Sequence, residues 1–95
     1  MIKHIVMFKL KERNDENIAK VVNSLKTLER NIDFLRSVEI GVNFTESERN
    51  YDIALTTEFD DRNALNAYGP HPQHLPVVEI VRSLCSSSVV VDYET

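Results

Sequence analysis

The sequence predicts an α+β fold, a four-stranded antiparallel sheet with helices on one face, and three observations carry that expectation. Four segments, at 2–10, 38–42, 51–59 and 88–94, alternate residues with the period of two that a strand imposes. A helical apolar stripe separates the first strand from the second. Two shorter helical pieces, split at Gly69-Pro70, separate the third strand from the fourth. The order is βαββαβ, the plan of a ferredoxin-like sandwich.

Each element has a local reason. In the first strand Ile2, His4, Val6, Phe8 and Leu10 share one face, and Lys3, Ile5, Met7 and Lys9 the other. Asn14 or Asp15 offers a cap for a helix running to about Arg30, with Ile18, Val21, Val22, Leu25 and Leu28 on its apolar side. Asn31-Ile32-Asp33 reads as a turn, Val38 to Val42 as the second strand and Thr45 to Asn50 as a polar loop. The third strand spans Tyr51 to Phe59, and Asp60-Asp61 offers a cap for a short helix from Arg62 to Tyr68. Pro72 is placed to open a further helix lined by Leu75, Val78, Val81 and Leu84. Ser86-Ser87-Ser88 reads as a turn, and Ser88 to Glu94 as the last strand.

Composition narrows the function classes. With 42% hydrophobic and 27% charged residues, the 95 residues are expected to form one soluble domain over 1–95. A formal net charge of -4 leaves no basic footprint for nucleic acid or anionic lipid, and Lys3, Lys9, Lys11 and Arg13 form only a short cluster. No stretch approaches the roughly 18 apolar residues that span a bilayer. The chain opens on a strand pattern rather than a signal peptide's apolar run, and its one cysteine, Cys85, has no intramolecular partner. Both point to the cytoplasm. Cys85 ends a helical stripe and reads as a buried structural thiol.

The plan leaves one sheet face without helices. Strand one is apolar on both sides and strand four nearly so, a pattern that suits a face covered by a second copy. Four strands about 4.8 Å apart and ~20 Å long offer several hundred Å² for that contact. A domain this small also buries a limited share of its surface alone. A homodimer through the sheet face is expected.

The segment Tyr68-Gly69-Pro70-His71-Pro72-Gln73-His74 gathers two of the three histidines and two of the three prolines between helical patterns. A prolyl-stiffened loop presents titratable rings at little entropic cost. His71 and His74 stand three apart, but no third His, Cys or carboxylate completes a metal-ligand spacing, so no metal and no cofactor is expected. Asp60-Asp61 and the loop acids Glu46 and Glu48 read as a cap and a solvated loop.

Met1-Ile2-Lys3-His4-Ile5-Val6-Met7-Phe8-Lys9, Tyr68-x-x-His71-Pro72-x-His74 and Val91-Asp92-Tyr93, in this order, resemble the stress-responsive A/B barrel domain family. The resemblance implies membership of the dimeric α+β barrel superfamily, in which two ferredoxin-like protomers pack sheet to sheet. Most members have no assigned reaction. One plant branch cyclises a linear polyketide by aldol chemistry without metal or organic cofactor. Its acid-base tyrosine and histidine align with Tyr68 and His74, and its strand-one histidine with His4. Polar pocket positions of that branch fall on Leu25 and Ile53 here, so the implied pocket is more apolar, with Phe8 and His71 also in its lining.

Three readings follow. The first is a homodimer with a small apolar pocket per protomer ending at His4, Tyr68 and His74, and no assigned activity. The second is a cofactor-independent enzyme, a cyclase or isomerase, moving protons on a carbonyl-bearing small molecule. The third is a structural stress protein, in which His74 bonds a backbone carbonyl and the rings satisfy one another. An open cavity separates the second from the third.

Overall fold

The computed structural model describes residues 1–95 and contains β1 (Ile2–Leu10), α1 (Asp15–Asn31), β2 (Ser37–Val42), β3 (Ile53–Phe59), α2 (Arg62–Tyr68), α3 (Leu75–Leu84) and β4 (Cys85–Glu94). The strands form one antiparallel sheet in the order β2-β3-β1-β4. This is the ferredoxin-like arrangement, with β1 central. Its even positions Ile2, Val6, Phe8 and Leu10 are buried beneath the helices beside Ile53, Leu55 and Phe59 of β3. Val21, Leu25 and Leu28 of α1 close that core from above. Asn14 caps α1 by accepting the Asn17 N–H at 2.8 Å, and Asp61 caps α2 by accepting that of Ala64 at 2.8 Å.

Several boundaries differ from the expected ones, each for a visible reason. Asp60 does not cap. It takes both Arg36 Nε and Nη2, at 2.9 and 2.6 Å, and this bond holds its carboxyl below the usual carboxylate range. Regular pairing of β3 starts at Ile53 because Asp52 is buried and turns its carboxylate onto the Leu10 N–H at 2.8 Å. Pro72 opens no helix: α3 begins at Leu75, with Pro76 in its first turn, where a missing N–H costs nothing. Leu75 is accordingly exposed, and Val77 with Val81 points into the core. Ile32, where the chain turns out of α1, is fully buried, and its N–H closes the end of α1 onto the Leu28 carbonyl.

Ser86-Ser87-Ser88 is not a turn either. β4 follows α3 without a loop, and the register slips between Lys9 and Leu10 so that Ser86 is left over as a bulge. Cys85 therefore starts a strand, half-buried, and burial pushes its thiol pKa up.

The helix-free face is apolar over only half its width. Ile5 and Met7 of β1 lie beside Val91 and Val89 of β4, with Tyr93 next in line. On the other half Ser37 donates to Glu58 at 2.8 Å, next to Glu39 and Thr56. No helix is long and apolar enough to cross a membrane.

Asp52 ties three segments together: its carboxylate accepts from Leu10 and, at 3.2 Å, from Arg13, while its own N–H donates to the Phe8 carbonyl at 2.8 Å. Replacing it by alanine strands a buried N–H and should cost about 1–3 kcal/mol. Urea denaturation measures this. A loss below about 0.5 kcal/mol would show that water replaces the carboxylate at no cost.

Candidate functional site

The segment after α2 is folded by its own backbone. The His71 N–H bonds the Tyr68 carbonyl at 3.1 Å, and the His74 and Leu75 N–H groups both turn back onto the His71 carbonyl. This double turn brings the His74 ring over Tyr68, with centroids 4.1 Å apart and planes inclined by 32°. His4, on the central strand beneath, meets Tyr68 edge to face at 6.0 Å.

These three rings line one cavity of about 280 Å³ between the sheet and α1 and α3. Phe8 and Leu25 belong to the same wall, and otherwise it is mostly aliphatic. Two other expected lining residues do not reach it. His71 turns away, accepting the Gln73 N–H on Nδ1 at 3.0 Å and packing against Phe34 at 5.6 Å, because the turn that delivers His74 points its neighbour outward. Ile53 borders instead an open trough of about 720 Å³ beneath the β2–β3 loop, since it stands at the far end of β3. No group of three or more His, Cys, Asp or Glu side chains is arranged around a common point to hold a metal ion.

Hydrogen bonds fix the state of each ring. A carbonyl only accepts, so His74 Nδ1 donates to the Gly69 carbonyl at 2.9 Å, and in the neutral ring Nε2 keeps its lone pair. Burial holds the His74 pKa below the usual imidazole value; the Gly69 bond opposes this, and the charges of His4 and His71 reinforce it. Tyr68 is 3% exposed, and burial raises its pKa to about 12. Its hydroxyl has no protein partner, yet no fully buried side-chain polar atom is left unpaired, so that oxygen lies on the cavity surface.

The sequence reading missed Asp92. It is the direct cross-strand partner of His4, and the two side chains are hydrogen bonded, Nδ1 of the histidine donating to Oδ1 of the carboxylate. His4 Nε2 is thereby left without a protein partner, in the same sense as that of His74. The available signal was an aspartate directly after a run of three valines in a strand, since strands seldom carry one.

The stress responsive A/B barrel domain model matches residues 2–95. The chain belongs to this family. An uncharacterized protein of Streptomyces coelicolor is 33% identical over 97 residues, spanning 99% of both chains. A dimeric ferredoxin-like protein of unknown function from Bacteroides fragilis is 34% identical and superposes with a TM-score of 0.83, covering 99% of this chain and 95% of that one. Another, from Thermobifida fusca, has a TM-score of 0.87 at 24% identity, covering 99% and 90%, and shows the shared fold. The structural neighbours are dimeric, and the family membership assigns no specific activity.

The two perturbed rings give opposite pH signatures. Tyr68's raised pKa contributes stability that is fully present below pH 10 and lost as pH rises through about 12. The wild-type minus Tyr68→Phe phenolate absorbance should therefore appear only above pH 10; a midpoint at 10 would mean a solvated hydroxyl. His74's lowered pKa contributes stability present above pH 6.5 and lost as pH falls through the folded-state value. Melting curves of His74→Gln should accordingly fall less steeply than wild type below pH 6.5, and parallel curves would contradict the burial argument.

Proposed function

We propose that the protein is a cofactor-independent acid-base catalyst acting on a small, largely apolar carbonyl compound. One observation carries this: two imidazole nitrogens and a phenol, all without protein partners, meet at one apolar cavity. A neutral His74 with its lone pair on Nε2 is a base for a proton next to a carbonyl. As the C–H bond breaks, its electron pair moves onto the carbonyl oxygen, and the proton goes to Nε2. The Tyr68 hydroxyl, neutral at physiological pH, donates to the oxygen where that charge develops. His74 Nε2 then returns a proton to the same carbon as the electron pair moves back from the oxygen, while His4, held by Asp92, meets Tyr68 edge to face and orients its ring. The open space speaks against a purely structural stress protein, whose interior would gain by filling it.

The working unit in this proposal is a homodimer joined through the helix-free sheet face. The apolar band of Ile5, Met7, Val89, Val91 and Tyr93 supports it, because Val91 and Tyr93 would otherwise stand 53% and 42% exposed. A single free thiol, half-buried, fits a reducing cytoplasm.

Two experiments test these readings. Heptane-2,4-dione in D₂O should exchange its central protons faster with the protein than without it. His74→Gln and Tyr68→Phe should each lower that rate by about 10²–10⁴-fold, read by proton NMR. No acceleration by the wild type, or full acceleration by both variants, would refute the catalytic reading. Sedimentation should give twice the chain mass for the wild type, and one chain mass or unfolded protein for Val91→Asp, whose charge lies in the apolar band. A monomeric wild type at micromolar concentration would sink the dimer.

A further inference from the structure

Beyond the three rings, the cavity has a mouth with a different chemistry. Arg82, in the last turn of α3, lines both the cavity and a shallower depression that continues past Ser86 and Ser88 at the start of β4. Its side chain is exposed. Arg13, Arg36 and Arg62 are each paired with a carboxylate, whereas no ion pair involves Arg82. No aspartate or glutamate lines either hollow, although the chain carries 15 acidic residues against 11 basic ones. The Ser88 hydroxyl, on the strand facing this arginine across the mouth, makes no bond within the protein. A guanidinium without an ion-pair partner beside one free hydroxyl, at the opening of an apolar chamber, offers a forked donor set to an anion.

We propose that Arg82 is an anion-binding subsite, so that the ligand is an amphipathic anion. Its carboxylate or phosphate sits at Arg82 and Ser88, and its acyl or aryl body fills the chamber toward Tyr68 and His74. This rests on the reading of the cavity as a binding site and adds the chemistry of the ligand's outer end. The chamber's size, about 280 Å³, limits that body to a medium-length chain, and one of roughly eight carbons suits it. The four residues of the bulged run, from Cys85 to Ser88, keep small side chains beside the mouth and leave the anion open to water.

Octanoate, octyl phosphate and octan-2-one, kept below micellar concentrations, share a chain length and differ at one end. Their Kd values, from chemical-shift titrations of ¹⁵N-labelled protein, should show at least one anion binding about tenfold tighter than the ketone, a margin of about 1.4 kcal/mol. Which anion does so tells a carboxylate site from a phosphate site. Arg82→Gln should erase the margin while leaving the ketone's Kd and the melting temperature unchanged, and Arg82→Lys should keep part of it. Equal binding of all three by the wild type, or a margin that survives in Arg82→Gln, would overturn the subsite and leave the cavity standing. Failure of all three to bind the wild type would overturn the cavity reading and the subsite together.

Discussion

The ring of Phe59, at the last position of β3, is wholly buried and touches the side chains on which both core and site are built. Its centroid lies 5.1 Å from that of Tyr68, 6.4 Å from Phe34 and 6.5 Å from His4. One aromatic side chain thus fixes the height of α2 above the sheet, the packing of the α1–β2 connection and the tilt of the strand-one histidine. Aromatic pairs in these edge and tilted geometries add about 0.5–1.5 kcal/mol each beyond the area they bury. Tyr68 can stand in the cavity wall with a free hydroxyl because its ring is held from behind. The rigid element is the sheet; the site is seated on its central strand and on the turn next to it.

Burial then acts on the two groups in a complementary way. Taking a phenol out of water favours its neutral, donating form, and taking an imidazole out of water favours its neutral, accepting form. The same apolar chamber therefore holds a neutral phenol donor and a neutral imidazole acceptor side by side. Two carbonyl or carboxylate acceptors, Gly69 and Asp92, select the tautomers by engaging Nδ1 of His74 and of His4. The fold provides this at small expense, since both acceptors belong to segments already ordered by the turn after α2 and by the β1–β4 ladder.

What could be read from the sequence was what depends on local period and local stereochemistry. Alternation placed β1 to the residue, each cap signal held the right residue but left a pair open, Asn14 or Asp15 and Asp60 or Asp61, and Gly69-Pro70 marked the break. Where a local signal acted alone it misled: Pro72 suits a helix start, but the backbone bonds onto the His71 carbonyl hold it in a turn and move the start to Leu75, with Pro76 in the first turn. The bulge at Ser86 was invisible because it is a property of the register with β1, not of the serines. Of the expected site residues, Leu25, carried over by the family resemblance, and Phe8 line the cavity, on the inward faces that helix and strand periodicity give them. His71 and Ile53 needed knowledge of where a turn and a strand end point. Asp92 needed the cross-strand partner of His4, a tertiary fact. The apolar sheet face was overstated for a related reason, since the width of the band depends on which strands are neighbours, and β2 with β3 supplies a polar half.

The central claim is that His74 is a neutral base with its lone pair on Nε2, set by burial and by the Gly69 carbonyl. Long-range ¹H–¹⁵N correlation of the histidine side chains at pH 7 tests it most directly, because the two ring nitrogens of each tautomer have distinct shifts. The account predicts a protonated Nδ1 and an unprotonated Nε2 for His74, with the Nε2 signal moving when a ketone enters the cavity. An Nε2–H tautomer, or an imidazolium at that pH, would contradict it.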